Sequence, residues 1–174
     1  MRSARLVLLL ALMVPVAVAA MPLPEPVVRD FPELRLAGEG RLRWLGLHIY
    51  DAALWVNGAK WNPERGFALD IRYARNLSGE RLAGTSIDEM RRLGFGDEAR
   101  LARWAQDLAR VFPGVKKGER ITGVYRPGIG AEFYHQGRLT GRVDDPEFAH
   151  AFFAIWLDER TREPGLRASL FGAR

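Results

Sequence analysis

Two arginines, Arg41 and Arg43, stand two residues apart in a segment, 36–56, that is otherwise rich in apolar and aromatic residues. In a β-strand, residues two apart project from the same face, so both guanidinium groups would share one surface. Guanidinium groups bind carboxylates through paired hydrogen bonds and stack on aromatic rings. The pair could therefore hold an anionic, partly apolar ligand, or it could lie flat over Trp44 or Trp55 on a solvent-facing strand.

Aromatic residues near the arginines could complete such a site. Tyr50 and Trp55 belong to the same segment, and Tyr73 ends the next extended pattern. Each ring could equally be an ordinary core side chain, because aromatic residues supply much of the buried surface of proteins. The predicted ligand-binding residues are Arg41, Arg43, Tyr50, Trp55 and Tyr73, with Tyr134 as a further candidate.

Metal and nucleophile chemistry have little support in the sequence. The three histidines show no paired spacing, and the chain has no cysteine. No serine stands in a Gly-x-Ser-x-Gly elbow, and the adjacent carboxylates Asp144 and Asp145 fit a turn followed by a helix cap. The glycines of 123–130 lack the Lys-Ser/Thr pair of a phosphate-binding loop. The sequence predicts no metal and no cofactor, and it names no catalytic residue.

Residues 1–20 have the pattern of a secretory signal peptide. Arg2 and Arg5 precede an apolar run from Leu6 to Val18, and small residues close the segment. The apolar run is shorter than the roughly 20 residues of a membrane-spanning helix, which argues against a retained anchor. We expect export to the periplasm, cleavage near Ala19 or Ala20, and no membrane-spanning segment in the mature chain.

Residues 21–174 are predicted to form one domain, long enough for a packed core. No internal repeat or linker divides them, and without cysteine their stability must come from packing. The whole chain has a formal net charge of +5. Its arginines are spread along the sequence, and no basic run is interleaved with aromatic residues, so we expect no nucleic-acid partner.

Extended and helical patterns alternate along this domain. Residues 27–56 are expected to be extended, and apolar and polar residues alternate in Phe67–Arg75 as in a half-buried strand. Three more short strands are predicted, at 120–125, 131–135 and 139–143.

Helices are predicted between and after these strands. Ser86 and Glu89 fit a capping box, and Asp97 fits the N-cap of a second helix. The second helix has an apolar stripe, formed by Leu101, Trp104, Leu108 and Val111. Asp145 and Pro146 begin a third, largely apolar helix, and a short helix closes the chain at 161–170. The order of elements indicates an α+β fold.

Several short motifs follow one another along the chain. They are Gly38-Glu-Gly40-Arg-Leu-Arg43, Ile49-Tyr-Asp-Ala-Ala-Leu-Trp55, Tyr73-Ala-Arg-Asn-Leu-Ser-Gly79, Pro127-Gly-Ile-Gly130, Phe148–Asp158 and Leu170-Phe-Gly172. In this order and spacing they resemble the bacterial branch of the chalcone isomerase-like family, over nearly all of residues 21–174. The resemblance implies an open-faced sandwich, in which helices cover one side of a curved antiparallel sheet and a ligand cleft lies between them.

The resemblance also implies site residues. In plant members an arginine on an early strand holds an anionic substrate and a tyrosine assists ring closure. In fatty-acid-binding relatives an arginine and a tyrosine hold a carboxylate. Carried over to this sequence, the arginine falls on Arg41 or Arg43, and the register does not decide between them. The catalytic tyrosine falls on Leu82, and its polar partner on Asp88 or Glu89.

Three hypotheses about function follow from these residues and from the resemblance. The leading one is a periplasmic, non-catalytic protein that binds a small amphipathic anion, such as a fatty acid, in the cleft. The alternative is an isomerase or intramolecular lyase acting on a phenolic or enone compound. The third is a structural partner in an envelope complex.

Overall fold

The structure is a computed structural model that describes residues 22–173. Its strands are β1 Leu34–Trp44, β2 Leu47–Asn57, β3 Phe67–Tyr73, β4 Arg120–Arg126, β5 Gly130–His135 and β6 Arg138–Val143. Its helices are α1 Glu25–Asp30, α2 Gly79–Arg92, α3 Glu98–Val111, α4 Pro146–Leu157 and α5 Pro164–Leu170. The predicted signal peptide, residues 1–20, lies outside the described residues.

The six strands form one antiparallel sheet in the order β1-β2-β3-β4-β5-β6. Neighbouring strands along the chain are neighbours in the sheet, and the pair α2–α3 is inserted between β3 and β4. This arrangement confirms the predicted α+β fold and places the three late strands within one residue of their predicted bounds. The sheet is the platform on which the helices and the cleft are built.

The inner face of the sheet carries the main core. Alternate residues of β3, from Phe67 through Leu69 and Ile71 to Tyr73, are buried there against the helices, as the alternation of the strand predicted. The apolar stripe of α3 is buried in the same core. Trp104 of that stripe donates its indole N–H to Asp145, whose other carboxylate oxygen caps α4.

α4 is the most apolar helix of this layer. Phe148, Phe152 and Phe153 are all buried, and Phe148 and Phe152 stack with their ring centroids 5.7 Å apart. A helix that is apolar on most sides is expected to lie deep in the protein. α3 and α4 therefore pack on one side of the sheet, as predicted.

Two glycines let α5 lie close against β1. A Cβ atom on Gly38 would overlap the carbonyl oxygen of Ser169, and one on Gly40 would come 2.7 Å from the side chain of Leu166. Gly38 and Gly40 thus face the helices, and Leu42 continues that face. The Gly-x-Gly motif belongs to this contact.

The predicted start of α2 at Ser86 is wrong. The helix begins at Gly79, with the Ser78 side chain accepting a hydrogen bond from the backbone of Arg81. Ser86 lies inside the helix and donates its hydroxyl to the carbonyl oxygen of Leu82, 2.9 Å away. Apolar residues before Ser86, such as Ala83, already pack on the core, and this packing extends the helix beyond the local capping signal.

The expectation of extended chain from residue 27 is also corrected. α1 occupies 25–30 and lies against the outer face of the sheet. Leu23 and Val27 pack there on Ala68, Val124 and Tyr134. Burial of this apolar face provides the stabilisation that a six-residue helix lacks on its own. The centre of the outer face is therefore covered, although the main helical layer lies on the other side.

Candidate ligand cleft

A cavity of about 1120 Å³ lies between the inner face of the sheet and the helices. Its walls come from β1 to β5, from α2, α4 and α5, and from connections between these elements. This volume is at or slightly above the range of about 300–1,000 Å³ of typical small-molecule sites.

The deep part of this cavity is tightly packed, and its open part lies nearer the surface. Its deepest lining residues are already close-packed, with Phe133 0% and Leu69 2% exposed. The half-buried side chains of Leu42, Leu77 and Leu82 line the part nearer the surface. The cavity is therefore best described as a cleft with apolar walls that is open toward α2 and the β1–β2 hairpin.

Tyr50 supplies a polar group within these apolar walls. Its hydroxyl oxygen accepts a hydrogen bond from the indole N–H of Trp156 at 2.9 Å, so its own O–H remains available as a donor. Burial raises the pKa of Tyr50 above its usual range, and the charges of Glu163 and Glu89 add to this rise. The phenol therefore stays protonated at neutral pH and can donate to a ligand oxygen.

Tyr73 lies beside Tyr50 on the cleft wall. The two ring centroids are 6.1 Å apart in an edge-to-face arrangement, a favourable geometry for aromatic pairs. Burial, and to a smaller degree Tyr50, raises the pKa of Tyr73 above its usual range. The structure thus brings two of the predicted binding residues together, and their contact with a ligand stays a prediction.

The expectation that Arg41 or Arg43 points into the cleft is corrected by the structure. Arg41 is exposed and forms an ion pair with Asp51 on the neighbouring strand, at 2.7 Å. Arg43 is exposed and approaches the carbonyl oxygen of Gly46 at the hairpin turn. Because Leu42 faces the cleft, its two neighbours project from the other face of β1.

Trp55 also lies away from the cleft. It is partly buried on the outer face of the sheet, where it packs on the small core beneath α1. Its neighbours on β2, Leu54 and Val56, face the main core instead. Tyr134, the further candidate, belongs to the same outer core and hydrogen-bonds to Glu132 at 3.0 Å. Trp55 and Tyr134 are therefore core side chains of the outer face. For these two rings the core interpretation is correct, and the ligand-binding interpretation is not.

Three cations that the sequence prediction missed line the cleft at the junction between β3 and α2. They are Arg75, Arg81 and Lys117, and all three are exposed. Within residues 22–173, none of their side chains has a hydrogen bond or an ion pair. The backbone of Lys117 donates to the side chain of Asn76 at 2.8 Å, which joins its loop to the junction.

A signal for these cations was present in the sequence. Arg75 lies within the motif from Tyr73 to Gly79 that resembles the strand-to-helix junction of the family. The pairing of that junction with the 115–118 loop, through reciprocal backbone hydrogen bonds between Leu77 and Val115, could not be read from spacing. Only this long-range pairing brings Lys117 to the cleft.

The positions to which the resemblance assigned catalytic groups can now be located. Leu82 lines the cleft, so an aliphatic side chain occupies the place of the enzyme tyrosine. Glu89 also lines it, but its carboxylate is held by Arg92 at 2.8 Å and by Arg162 at 2.7 Å. Each oxygen of the Glu89 carboxylate is therefore already engaged by a guanidinium group.

Two further features bear on what this site can bind. The described residues contain no cluster of three or more histidine or carboxylate side chains that could hold a metal ion. Among the helices of residues 22–173, none is long and apolar enough to cross a membrane.

Comparisons with known proteins agree with this architecture. AtFAP1, a fatty-acid binding protein from Arabidopsis thaliana, has a similar solved structure, with a TM-score of 0.61 and 12% sequence identity. The similarity covers 80% of this chain and 87% of that chain, and at this identity it shows the fold. No curated protein matched this chain in sequence. The model of the chalcone isomerase-like family matches residues 15–172, and the chain therefore belongs to that family.

Proposed function

We propose that this chain is a non-catalytic binding protein for a small amphipathic anion, a fatty-acid-like carboxylate. The observation that carries the proposal is the combination, in one cleft, of apolar walls with the three cations Arg75, Arg81 and Lys117. No carboxylate among the described residues neutralises these cations. An acyl chain would lie against the walls, and its carboxylate would receive charge-assisted hydrogen bonds, which are stronger than neutral ones.

Tyr50 gives the cleft a second polar contact. Its phenol is protonated at neutral pH and is held in place by Trp156. A ligand with a second oxygen, such as a hydroxyl or keto group along its chain, could accept the Tyr50 hydrogen bond. AtFAP1 shares the fold and is described as binding fatty acids, which makes acyl chains the first ligands to test.

The alternative function, an isomerase or lyase acting on a phenolic or enone compound, has weaker support. Such a reaction needs an acid or base that can exchange a proton with the substrate. Glu89 is engaged by two arginines, and Leu82 occupies the place of the expected tyrosine. Tyr50 could act only as a hydrogen-bond donor near neutral pH, since burial raises its pKa.

A displacement experiment tests the binding function. A fluorescent fatty acid bound to the protein would be displaced by unlabelled fatty acids of increasing chain length. We expect Arg81→Gln and Lys117→Gln each to weaken binding about tenfold, the scale of one hydrogen bond to a charged group. Affinity should rise with chain length, because each methylene buried in the cleft adds about 0.8 kcal/mol.

Arg41→Gln is the matched control for these variants. It removes an exposed arginine of the same sheet whose side chain lies outside the cleft and pairs with Asp51. Its affinity should equal that of the wild type. Equal affinities for all three variants, or no binding by the wild type, would contradict the proposed function.

A further inference from the structure

One end of the sheet gathers four connections of the chain. In an antiparallel sheet with sequential strands, every second connection lies at the same end. Here these are the β1–β2 turn, the β3–α2 junction, the loop before β4 and the β5–β6 turn. The cleft also opens at this end, since its lining includes Trp44, Leu47, Arg75 and Lys117. We call segments 43–47, 74–78, 115–119 and 136–139 the mouth end.

The mouth end exposes large apolar side chains. Of the seven large hydrophobic residues exposed within 22–173, four lie in these segments. Trp44 is 62% exposed, Leu45 80%, Leu47 46% and Leu139 48%. Leu139 lies on β6 at the far edge of the sheet, whereas Trp44, Leu45 and Leu47 belong to one hairpin beside the cleft. Single exposed apolar residues are ordinary, but a group of three in one hairpin indicates an interaction surface.

Leu45 occupies a position at which leucine is unusual. It has a φ of 49°, and the following Gly46 has a φ of 78°. Two-residue hairpin turns with positive φ at both positions favour Asn-Gly or Gly-Gly, because a bulky side chain is strained there. A leucine in this turn is costly for the fold and does not contribute to the core, which is consistent with a role outside the folded chain.

The charge of the mouth end is strongly positive. Its segments contain five exposed cations, Arg43, Arg75, Lys116, Lys117 and Arg138. They contain one carboxylate, Glu119, which accepts a hydrogen bond from the backbone of Lys116 and lies 3.0 Å from Nε2 of His135. Two residues beyond segment 74–78 stands a further carboxylate, Glu80, in the first turn of α2.

The opposite end of the sheet differs in both respects. Its segments 57–66, 127–130 and 144–146 expose one large apolar side chain, Ile129. Their charged residues are mixed in sign: Lys60, Glu64, Arg65, Asp144 and Asp145. The coincidence of apolar side chains, positive charge and the cleft opening is therefore a property of the mouth end.

We propose that the mouth end docks on an anionic lipid surface, with Trp44, Leu45 and Leu47 inserted among the headgroups. Tryptophan and leucine side chains favour this interface, and each nearby lysine or arginine adds attraction to anionic lipids. In this orientation the cleft opens toward the bilayer. If the proposed binding function holds, an acyl ligand passes between bilayer and cleft without crossing water.

Vesicle co-sedimentation tests this docking. The probes are vesicles of phosphatidylcholine alone and vesicles of phosphatidylcholine mixed with phosphatidylglycerol. We expect the wild type to bind the mixed vesicles more tightly, and less tightly as salt is added. Leu45→Asn should weaken partitioning about tenfold, since one inserted leucine is lost, and it should fold normally because asparagine tolerates positive φ.

Matched variants at other places separate docking from general stickiness. Ile129→Asn removes an exposed apolar residue from a turn at the opposite end and should bind as the wild type does. Lys116→Ser with Arg138→Ser should weaken binding to the mixed vesicles about fivefold per charge removed. Lys60 and Arg103 are exposed elsewhere on the protein. The double variant Lys60→Ser with Arg103→Ser should bind the mixed vesicles as the wild type does.

The outcomes distinguish docking from the ligand-binding function. Fatty-acid displacement in buffer without vesicles measures the cleft alone, and Leu45→Asn should retain wild-type affinity there. Suppose that unlabelled fatty acids displace the fluorescent fatty acid from the wild type, but that the wild type sediments with neither kind of vesicle. Docking is then overturned and the binding function stands. Docking is also overturned if Leu45→Asn sediments with the mixed vesicles as the wild type does. The same holds if Ile129→Asn loses as much vesicle binding as Leu45→Asn. Sedimentation without fatty-acid binding leaves docking intact and contradicts the binding function.

Discussion

At the scale of single residues, the partners of an arginine decide whether it is available to a ligand. Arg41 faces Asp51 across two antiparallel strands, and their side chains form an ion pair. Arg75 and Arg81 have no such partner within the described chain. A surface ion pair contributes little to stability, but it occupies the guanidinium group. The candidate anion site therefore lies at the β3–α2 junction and not on β1.

The buried phenols of the cleft predict a loss of stability at high pH. Burial raises the pKa of both Tyr50 and Tyr73 in the folded protein, whereas an unfolded tyrosine ionises at about pH 10. Below that pH both states keep the phenol protons, and this contribution to stability is fully present. As the pH rises further, the unfolded state loses its protons first, and the free energy of unfolding falls.

Tyr73→Phe should make this alkaline loss less steep. Removing one of the two phenols should reduce the slope by about 1.4 kcal/mol per pH unit above pH ~10. Urea unfolding at a series of pH values measures it. Tyr50→Phe is the comparison, because it removes a phenol and also the acceptor of the Trp156 hydrogen bond, at a further cost of about 1 kcal/mol near neutral pH. A wild-type slope in Tyr73→Phe would contradict the prediction.

At the scale of elements, the contact of α5 with β1 closes one side of the cleft. Gly38 and Gly40 remove the side chains that would hold the helix away from the strand. Leu166 and Leu170 of α5 are buried in the main core. The short helix is thus stabilised by tertiary packing, because seven residues are too few for a helix to be stable alone.

Gly38→Ala should destabilise the protein by about 1–3 kcal/mol, the usual cost of forcing an extra methyl group into a packed contact. Its Cβ atom would lie 2.7 Å from the backbone nitrogen of Gly172, and backbone atoms cannot give way as a flexible side chain can. Denaturant unfolding followed by circular dichroism measures the change.

Gly84→Ala is the matched control for that substitution. Gly84 is exposed inside α2, with nothing within 4 Å of an added Cβ atom. Alanine there should stabilise the protein by about 0.5–1 kcal/mol, because glycine loses more backbone entropy in a helix. If both variants lost stability equally, close packing of α5 on β1 would not be the cause.

At the scale of the whole molecule, the two faces and two ends of the sheet have different surroundings. The inner face carries the core and the cleft, and α1 covers the centre of the outer face. The cleft opens at the mouth end, where cations and apolar side chains are exposed together. Under the proposed binding function, this asymmetry gives the molecule a defined direction for the approach of its ligand.

We expect the chain to be exported and cleaved near Ala19 or Ala20, on the pattern of residues 1–20. The measurement is the intact mass of the protein recovered from the periplasmic fraction. The mass should correspond to a mature chain that begins close to Met21. A protein that still begins at Met1, or that is found with the cytoplasm, would refute the proposed location.

Local patterns in the sequence were sufficient for the features that depend on neighbours along the chain. Alternation assigned β3, the Asp97 and Asp145 caps began α3 and α4 where expected, and the apolar stripe of α3 proved to be core. These signals are local, since a side chain and the backbone a few residues away produce them. The resemblance of the motifs correctly indicated the chalcone isomerase-like fold.

The set of residues that meet in the cleft follows from long-range packing and could not be predicted from local patterns. A strand presents its residues alternately to two faces, and nothing within β1 says which face the helices cover. The packing of α5 on Gly38 and Gly40 settles it, and Arg41 and Arg43 consequently point away. Arg75 and Lys117 come together because distant backbone segments pair at the β3–α2 junction. Such long-range contacts arise from burial of the whole core and leave no periodic trace in the sequence.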